Sequence, residues 1–375
     1  QMPPGTTLVD DDDLDDDALL SPEDMMANPA AALDSPEALR NAINAARTDG
    51  DTERALELQE QLGQWLRRQG SDGEALAVYN EMLRAYEDAD NRPKTLATLQ
   101  TLASIMIAQE STQAAVLYAT RGAKLAEELA DESAQARLLL LVGDARQQLG
   151  ESTDAIVAYS QALDHFRKQD DRPGEADALM KLGFAQLDDD AVETAIKTWN
   201  EALEMCRDLG KRDGEGRILG GLGTAYGELE RWEEAINYHT SALYIAREVS
   251  DKKEEALQLG NLGYAARQAN RLGDAVTRYR QALHLAYAND ERENIVSTIV
   301  DLARLLMQSP RHLNIVEMLV DDALARDGSD REVTQLKERL DNEKLMAASQ
   351  GIAFRPVSGT AEDYARNAYA LLEDG

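Results

Sequence analysis

The sequence predicts an all-α chain, a right-handed α-solenoid built from helical hairpins, and three observations carry that prediction. The segments LGFAQL, LGTAYGEL and LGYAARQ recur at a fixed spacing of 40 residues, the signature of a stacked repeat. Glycine or alanine falls on that period at Gly63, Ala103, Gly143, Gly183, Gly223, Gly263 and Ala303 without an insertion. Alanine, leucine, glutamate and arginine dominate while aromatic residues make up only 5%, which suits helices meeting through small residues and argues against a sandwich or barrel.

Each unit reads as two helices. Twelve residues after the first six small residues comes an alanine, from Ala75 to Ala275, and four residues later Tyr79, Ala119, Tyr159, Trp199, His239 and Tyr279. A leucine-rich position, from Leu83 to Leu283, follows by four more. Spacing by four places these residues on one helical stripe. The first helix then carries the small residue where the second must approach closely, and the second presents the alanine, aromatic and leucine stripe. Asn91, Asp131, Asp171 and Asp251 stand where a side-chain oxygen caps the next first helix. Glu175 and Glu255 follow within the first turn, where negative charge suits the helix dipole.

The organisation expected is an acidic tail over residues 1–34, disordered when free, and a capping helix over 35–49 that uses Leu39 and Ile43. Seven repeats span 50–329, and residues 330–375 supply a C-terminal capping helix, a linker and a final amphipathic helix with Tyr364, Ala365, Ala368, Leu371 and Leu372 on one face. Two repeats depart from the pattern, the second at Ala103 and Ala119 and the seventh at Pro310 and Ile315.

The formal charge of −31 and the ten carboxylates within residues 1–36 repel phosphate backbones and anionic lipid, so nucleic acid is excluded as a primary partner and basic proteins are favoured. No stretch approaches the roughly 18 to 20 apolar residues of a membrane span. The single cysteine, Cys206, rules out an internal disulfide framework, and the opening residues lack the basic and apolar regions of a secretory signal; a reducing, cytoplasmic location is expected.

The pattern L-G followed by A-x-x-x-[YW]-x-x-A-L, cleanest in Leu222, Gly223, Tyr226, Ala235, Ala242 and Leu243, resembles the tetratricopeptide repeat over about residues 50–329. The 40-residue spacing is similar to the long-repeat subclass of GoLoco-binding adaptors and of sensor arrays in STAND-type signalling ATPases. No phosphate-binding G-x-x-x-x-G-K-[ST] occurs, so a complete signalling ATPase is excluded. The resemblance implies a non-catalytic protein–protein interaction scaffold or adaptor holding a peptide or subunit in a concave groove; the alternative is an assembly chaperone or regulatory subunit of a larger complex. Carried over position by position, the family's groove residues are Arg67, Arg68, Asp144, Gln147, Arg217, Thr224, Tyr264, Arg267, Gln268 and Arg304. Asn261 resembles the asparagine of the long-repeat adaptors. Arg217, Arg267 and Arg304 suit an acidic peptide through charge-assisted bonds, and the acidic tail, from the same chain or another, is a candidate occupant of that groove.

Other motifs have structural readings. The glycines of ILGGLGTAYG recur with the repeat and read as helix packing, His239 stands where sister repeats have an aromatic ring, and Cys206 reads as an inert buried thiol. No catalytic constellation, metal-ligand spacing or cofactor motif emerges.

Overall fold

The computed structural model describes residues 35–352, 357 and 359–366. The acidic tail, and its proposed docking, lie outside the described residues, as do Ala368, Leu371 and Leu372. Among the described residues there is no strand. Between residues 35 and 350 of the described chain sixteen α-helices follow one another: α1 Pro36–Thr48, α2 Thr52–Arg68, α3 Asp72–Asp88, α4 Arg92–Ala108, α5 Thr112–Glu128, α6 Glu132–Gln148, α7 Ser152–Lys168, α8 Arg172–Asp188, α9 Val192–Asp208, α10 Arg212–Glu228, α11 Trp232–Glu248, α12 Lys252–Gln268, α13 Leu272–Ala288, α14 Arg292–Leu306, α15 Leu313–Arg326 and α16 Arg331–Ser349. The fold is an all-α solenoid of hairpins in which even-numbered helices from α2 to α14 are the first members of the seven repeats.

The chain divides into two compact units, Gln1–Leu125 and Ala126–Gly375. The first has its own core, in which Leu39 and Ile43 of α1 pack with Leu58, Leu62, Tyr79 and Leu99. In the second, Tyr159, Phe166 and Trp199 anchor one cluster and Tyr279, Leu283 and Ile299 another. The boundary falls inside α5, whose stripe is reduced to Ala115, Ala119, Ala123 and Ala126.

The close approach expected at the small residue is realised in each unit that has glycine. A Cβ on Gly63 would sit 2.8 Å from the ring of Tyr79, one on Gly263 2.8 Å from Tyr279, and one on Gly223 2.6 Å from His239. Gly143 meets Tyr159 and Gly183 meets Trp199 in the same way. The departure in repeat two is a matched pair: Ala103 replaces the glycine, Ala119 replaces the ring, and both are fully buried. Further glycines of α10 serve the same purpose, Gly221 against Trp199 and Gly216 against Ile245.

Helices α2 to α13 each have 17 residues, and three-residue turns make a half-period of 20. Every such turn has its second residue at positive φ, from Gly50 at 75° through Ala130 at 55° to Asp290 at 53°. After α1, the Asp51 amide donates to the Ala46 carbonyl at 2.9 Å and the Gly50 amide to that of Arg47 at 3.2 Å. This is the Schellman closure, which satisfies carbonyls left over at the helix end. The first helices are then capped by the side chains of Asp51, Asn91, Asp131, Asp171 and Asp251. Pro310 breaks the rhythm in repeat seven. Lacking an N–H, it opens a short 3-10 turn, and α14 and α15 shorten to 15 and 14 residues. Helix α16 covers the last hairpin with Val333, Leu336 and Leu340, and residues 361–366 add Ala361 and Ala365 to that core.

Nine of the positive-φ residues are not glycine, and an L residue costs about 1 kcal/mol in that conformation, least for Asn and Asp. Ala130→Gly is therefore expected to stabilise the chain by about 0.5–1 kcal/mol in urea denaturation, opposite to the usual effect of glycine. A loss of stability would show that this turn does not hold the left-handed conformation.

Candidate peptide-binding face

Three cavities follow one another on the side formed by the first helices of the second unit. One of about 510 Å³ has Asp177 and Met180 of α8 on one wall and Arg212 and Arg217 of α10 on the other, with Cys206 at its base. A second, of about 160 Å³, runs from Thr224 and Glu228 of α10 to Asn261 and Tyr264 of α12, with Trp232 and His239 of α11 behind. The third, of about 240 Å³, has Asn261 and Tyr264 on one side, Asn294, Thr298 and Asp301 of α14 on the other, and Tyr279 between. Asn261 and Tyr264 thus form the wall shared by two cavities.

Most residues carried over from the sequence lie on this side. Arg217, Thr224, Tyr264, Gln268 and Arg304 are exposed, and Asn261 and Arg267 are half-buried. The arginines differ in their company. Arg267 faces Asp301 at 3.5 Å and lies 5.2 Å over the Tyr264 ring, and Arg304 is paired with Glu332. Arg217 has no carboxylate partner among the described residues and leans toward Phe184 at 5.9 Å. Asp144 accepts from Lys181 at 2.8 Å and from the Tyr159 hydroxyl at 2.7 Å, while the Gln147 amide donates to Asp188 at 2.7 Å. Arg67 and Arg68 line a separate cavity in the first unit. Trp232, Glu228, Asn294, Thr298 and Asp301 were not among the residues carried over. Trp232 had one available signal, a large ring at the first position of a second helix.

Burial sets the ionisation of the site. The imidazole of His239 is held below the ordinary histidine range by desolvation, which its bond to Gln258 only partly offsets. Burial, then the carboxylates of Asp190 and Asp188, push Glu228 upward. Asp301 is pushed up by burial against the pull of Arg267 and Arg304. At Cys206, burial raises the thiol and Lys211 opposes it, so the sulfur is an unreactive packing atom. Among the described residues no cluster of His, Cys, Asp or Glu is arranged to hold a metal ion, and no helix is long and apolar enough to cross a membrane.

The spacing of the first helices is fixed by a second periodic device. The guanidinium of a second helix donates to a glutamate eight residues on, at the start of the next first helix: Arg167 to Glu175 at 2.7 Å, Arg207 to Glu215 at 2.8 Å and Arg247 to Glu255 at 2.8 Å. Glu175 and Glu255 do favour the dipole as expected, but their main partners are these arginines. Glu255 is almost fully buried and also accepts from Lys252 at 2.8 Å.

A family model described as tetratricopeptide repeat matches residues 176–248 and 214–288. No curated protein matches the sequence. Solved structures with the same fold include the apo form of RapI (TM-score 0.58, 12% identity, 76% of this chain and 99% of that one). A signal transduction ATPase with numerous domains carrying a tetratricopeptide repeat sensor, from Pyrococcus horikoshii, aligns at TM-score 0.59 and 16% identity over 88% of this chain and 52% of its own. The APC/C hetero-tetramer Cut9-Hcn1 aligns at TM-score 0.55 and 14% identity over 85% and 58%. Residues 176–288 of this chain are tetratricopeptide repeats.

The Glu255 cluster has a pH signature. Burial raises its carboxyl pKa, but bonds and charges from Lys252 and Arg247 outweigh that and hold it below the ordinary range. Its stabilisation is therefore complete above the unfolded glutamate pKa of about 4.3 and is lost as pH falls through the lower folded value. Glu255→Gln is expected to cost about 1–2 kcal/mol at pH 7, and the gap from the parent should close in acid when urea midpoints are compared across pH. A gap independent of pH would mean that the carboxylate charge is not what binds the two helices.

Proposed function

We propose that this chain is a non-catalytic interaction scaffold that takes an extended peptide, or a segment of a subunit, along the face presented by α8, α10, α12 and α14. The observation that supports this best is the succession of three cavities on that face, two of them sharing Asn261 and Tyr264 as a common wall. In a solenoid the core positions are committed to stacking, so exposed first-helix residues are free to differ from repeat to repeat and read a ligand. We assign Arg217, Thr224, Asn261, Tyr264, Arg267, Gln268 and Arg304 to that contact. A reducing, cytoplasmic setting belongs to the same proposal and is supported by the unpaired Cys206.

A second reading, a regulatory or assembly subunit of a larger complex, is favoured by a different observation. Val157 and Tyr244 are large apolar residues exposed on second helices, at 51% and 67%, where a permanent partner would cover them. The Cut9-Hcn1 neighbour, seen within a hetero-tetramer, is of this fold.

The two readings separate by mutation. Replacing Asn261, Tyr264 and Arg267 together with alanine is expected to abolish partner capture by the full chain with an unchanged helical circular dichroism signal. Ala235→Leu, at a fully buried position, should do the reverse and cost about 1–3 kcal/mol by overpacking. Unimpaired capture by the triple variant would move the contact to the second-helix face.

A further inference from the structure

We propose that the cavity between α10 and α12 is a recognition pocket for an arginine side chain of the bound partner; this rests on the scaffold reading and adds what the scaffold selects. The cavity, about 160 Å³, is of the order of a single side chain. Gly223 and Gly227 of α10 line it without adding a side chain.

Its deepest polar group is the imidazole of His239, 4% exposed. The Nδ1 atom lies 2.7 Å from Oε1 of Gln258, whose Nε2 donates to Oε1 of Glu254 at 2.7 Å. A carboxylate only accepts, so Glu254 fixes the Gln258 amide with its NH₂ outward and its carbonyl toward the histidine. His239 therefore carries its proton on Nδ1. Burial keeps the ring neutral, so Nε2 is a bare acceptor with no partner among the described residues. Nε2 is not among the buried atoms left without a partner, so it stands open to the cavity as an acceptor that a ligand N–H can reach.

The rest of the lining asks for a donor that is also a cation. Glu228 has no ion-pair partner among the described residues, and Asp190 and Asp188 add to the negative potential around it. Trp232 and Tyr264 contribute rings with centroids 6.0 Å apart at an interplanar angle of 72°, and Asn261 contributes an amide. A planar guanidinium matches this set better than an ammonium: it stacks on aromatic faces and presents several N–H donors at once. The chain already uses that pairing elsewhere, with Arg231 4.6 Å over Tyr226, Arg280 4.2 Å over Tyr364 and Arg326 4.9 Å over Tyr287. The chain's own cations leave Glu228 and Trp232 free: Arg267 lies over the Tyr264 ring and faces Asp301, and Arg231 is paired with Glu234.

Fluorescence anisotropy on the full chain at low salt tests this with a labelled peptide of about nine residues alternating arginine and glycine, and with the same peptide carrying citrulline in place of arginine. The arginine peptide should bind about ten-fold more tightly or better. Glu228→Gln should weaken it about five-fold or more, whereas Glu53→Gln, the same loss of charge at an exposed site on α2, should change it less than about two-fold. His239→Phe keeps a ring at the position where sister repeats have Tyr159 and Tyr279 but strips the buried Gln258 of its donor, so its melting temperature should fall somewhat; measured where the variant is still folded, it should weaken the arginine peptide because Nε2 is gone. Equal losses from Glu228→Gln and Glu53→Gln would assign the binding to overall charge and overturn the pocket. Equal binding of the citrulline peptide would overturn it while leaving the scaffold standing, since capture of the partner by the full chain is read separately from binding of the arginine peptide. Failure of the arginine peptide to bind at all would overturn the pocket as well.

Discussion

Two helices come into closest contact where one of them has given up its side chain, and here that surrender is made in five of the seven repeats, at a residue sixteen before the ring it receives. Gly63 takes Tyr79, Gly143 takes Tyr159, Gly183 takes Trp199, Gly223 takes His239 and Gly263 takes Tyr279. Glycine in a helix interior costs about 0.5–1 kcal/mol relative to alanine, so its recurrence requires an offsetting gain. The gain is burial of a large ring, worth about 1.5–3 kcal/mol, together with dense packing. Repeat two reaches the same closeness by the other route, two alanines, and its helix α5 is where the chain divides into two compact units.

From that contact the remaining order follows. A 17-residue helix closed by a left-handed residue returns the chain after 20 residues in the same phase, so within each compact unit successive first helices present equivalent positions to the same side. Side-chain caps mark the starts of most first helices, and the arginine–glutamate bonds at 167/175, 207/215 and 247/255 hold second helices to the next first helices. Alignment of the cavities between α8 and α14 is a consequence of this register. Where the ring position holds histidine instead of tyrosine, the packing is kept and a polar atom is placed at the back of a cavity.

The parts of this architecture that depend on residue type were legible in the sequence. Small residues, rings and capping aspartates each require particular side chains, so they recur visibly. The left-handed turns were less legible: Gly, Asp or Asn, which tolerate that conformation, stand at most of these positions, but Glu110, Glu230, Ala130 and Ser250 break the pattern, and what repeats there is a backbone conformation. The arginine–glutamate bonds were hidden for a different reason: in a chain with 70 acidic residues, spacing alone does not say which carboxylate an arginine meets. The same limit applies to the groove. Arg217, Arg267 and Arg304 were placed on the face from their register, but only the fold reveals that Asp301 and Glu332 engage the last two. Trp232, at a turn-proximal position outside that register, required the folded chain.

The glycine–ring contact makes a quantitative demand at Gly263 and Tyr279, where the hydroxyl has no hydrogen-bond partner among the described residues and does not complicate the comparison. A double-mutant cycle of urea unfolding isolates it. Gly263→Ala should destabilise by about 1–3 kcal/mol despite alanine's better helix propensity, and Tyr279→Ala should cost about 3–5 kcal/mol. The double variant, which recreates the alanine pair of repeat two, should be less destabilised than the sum by about 1 kcal/mol or more. Strict additivity, or a Gly263→Ala variant more stable than the parent, would contradict the claim that close approach at this residue organises the fold.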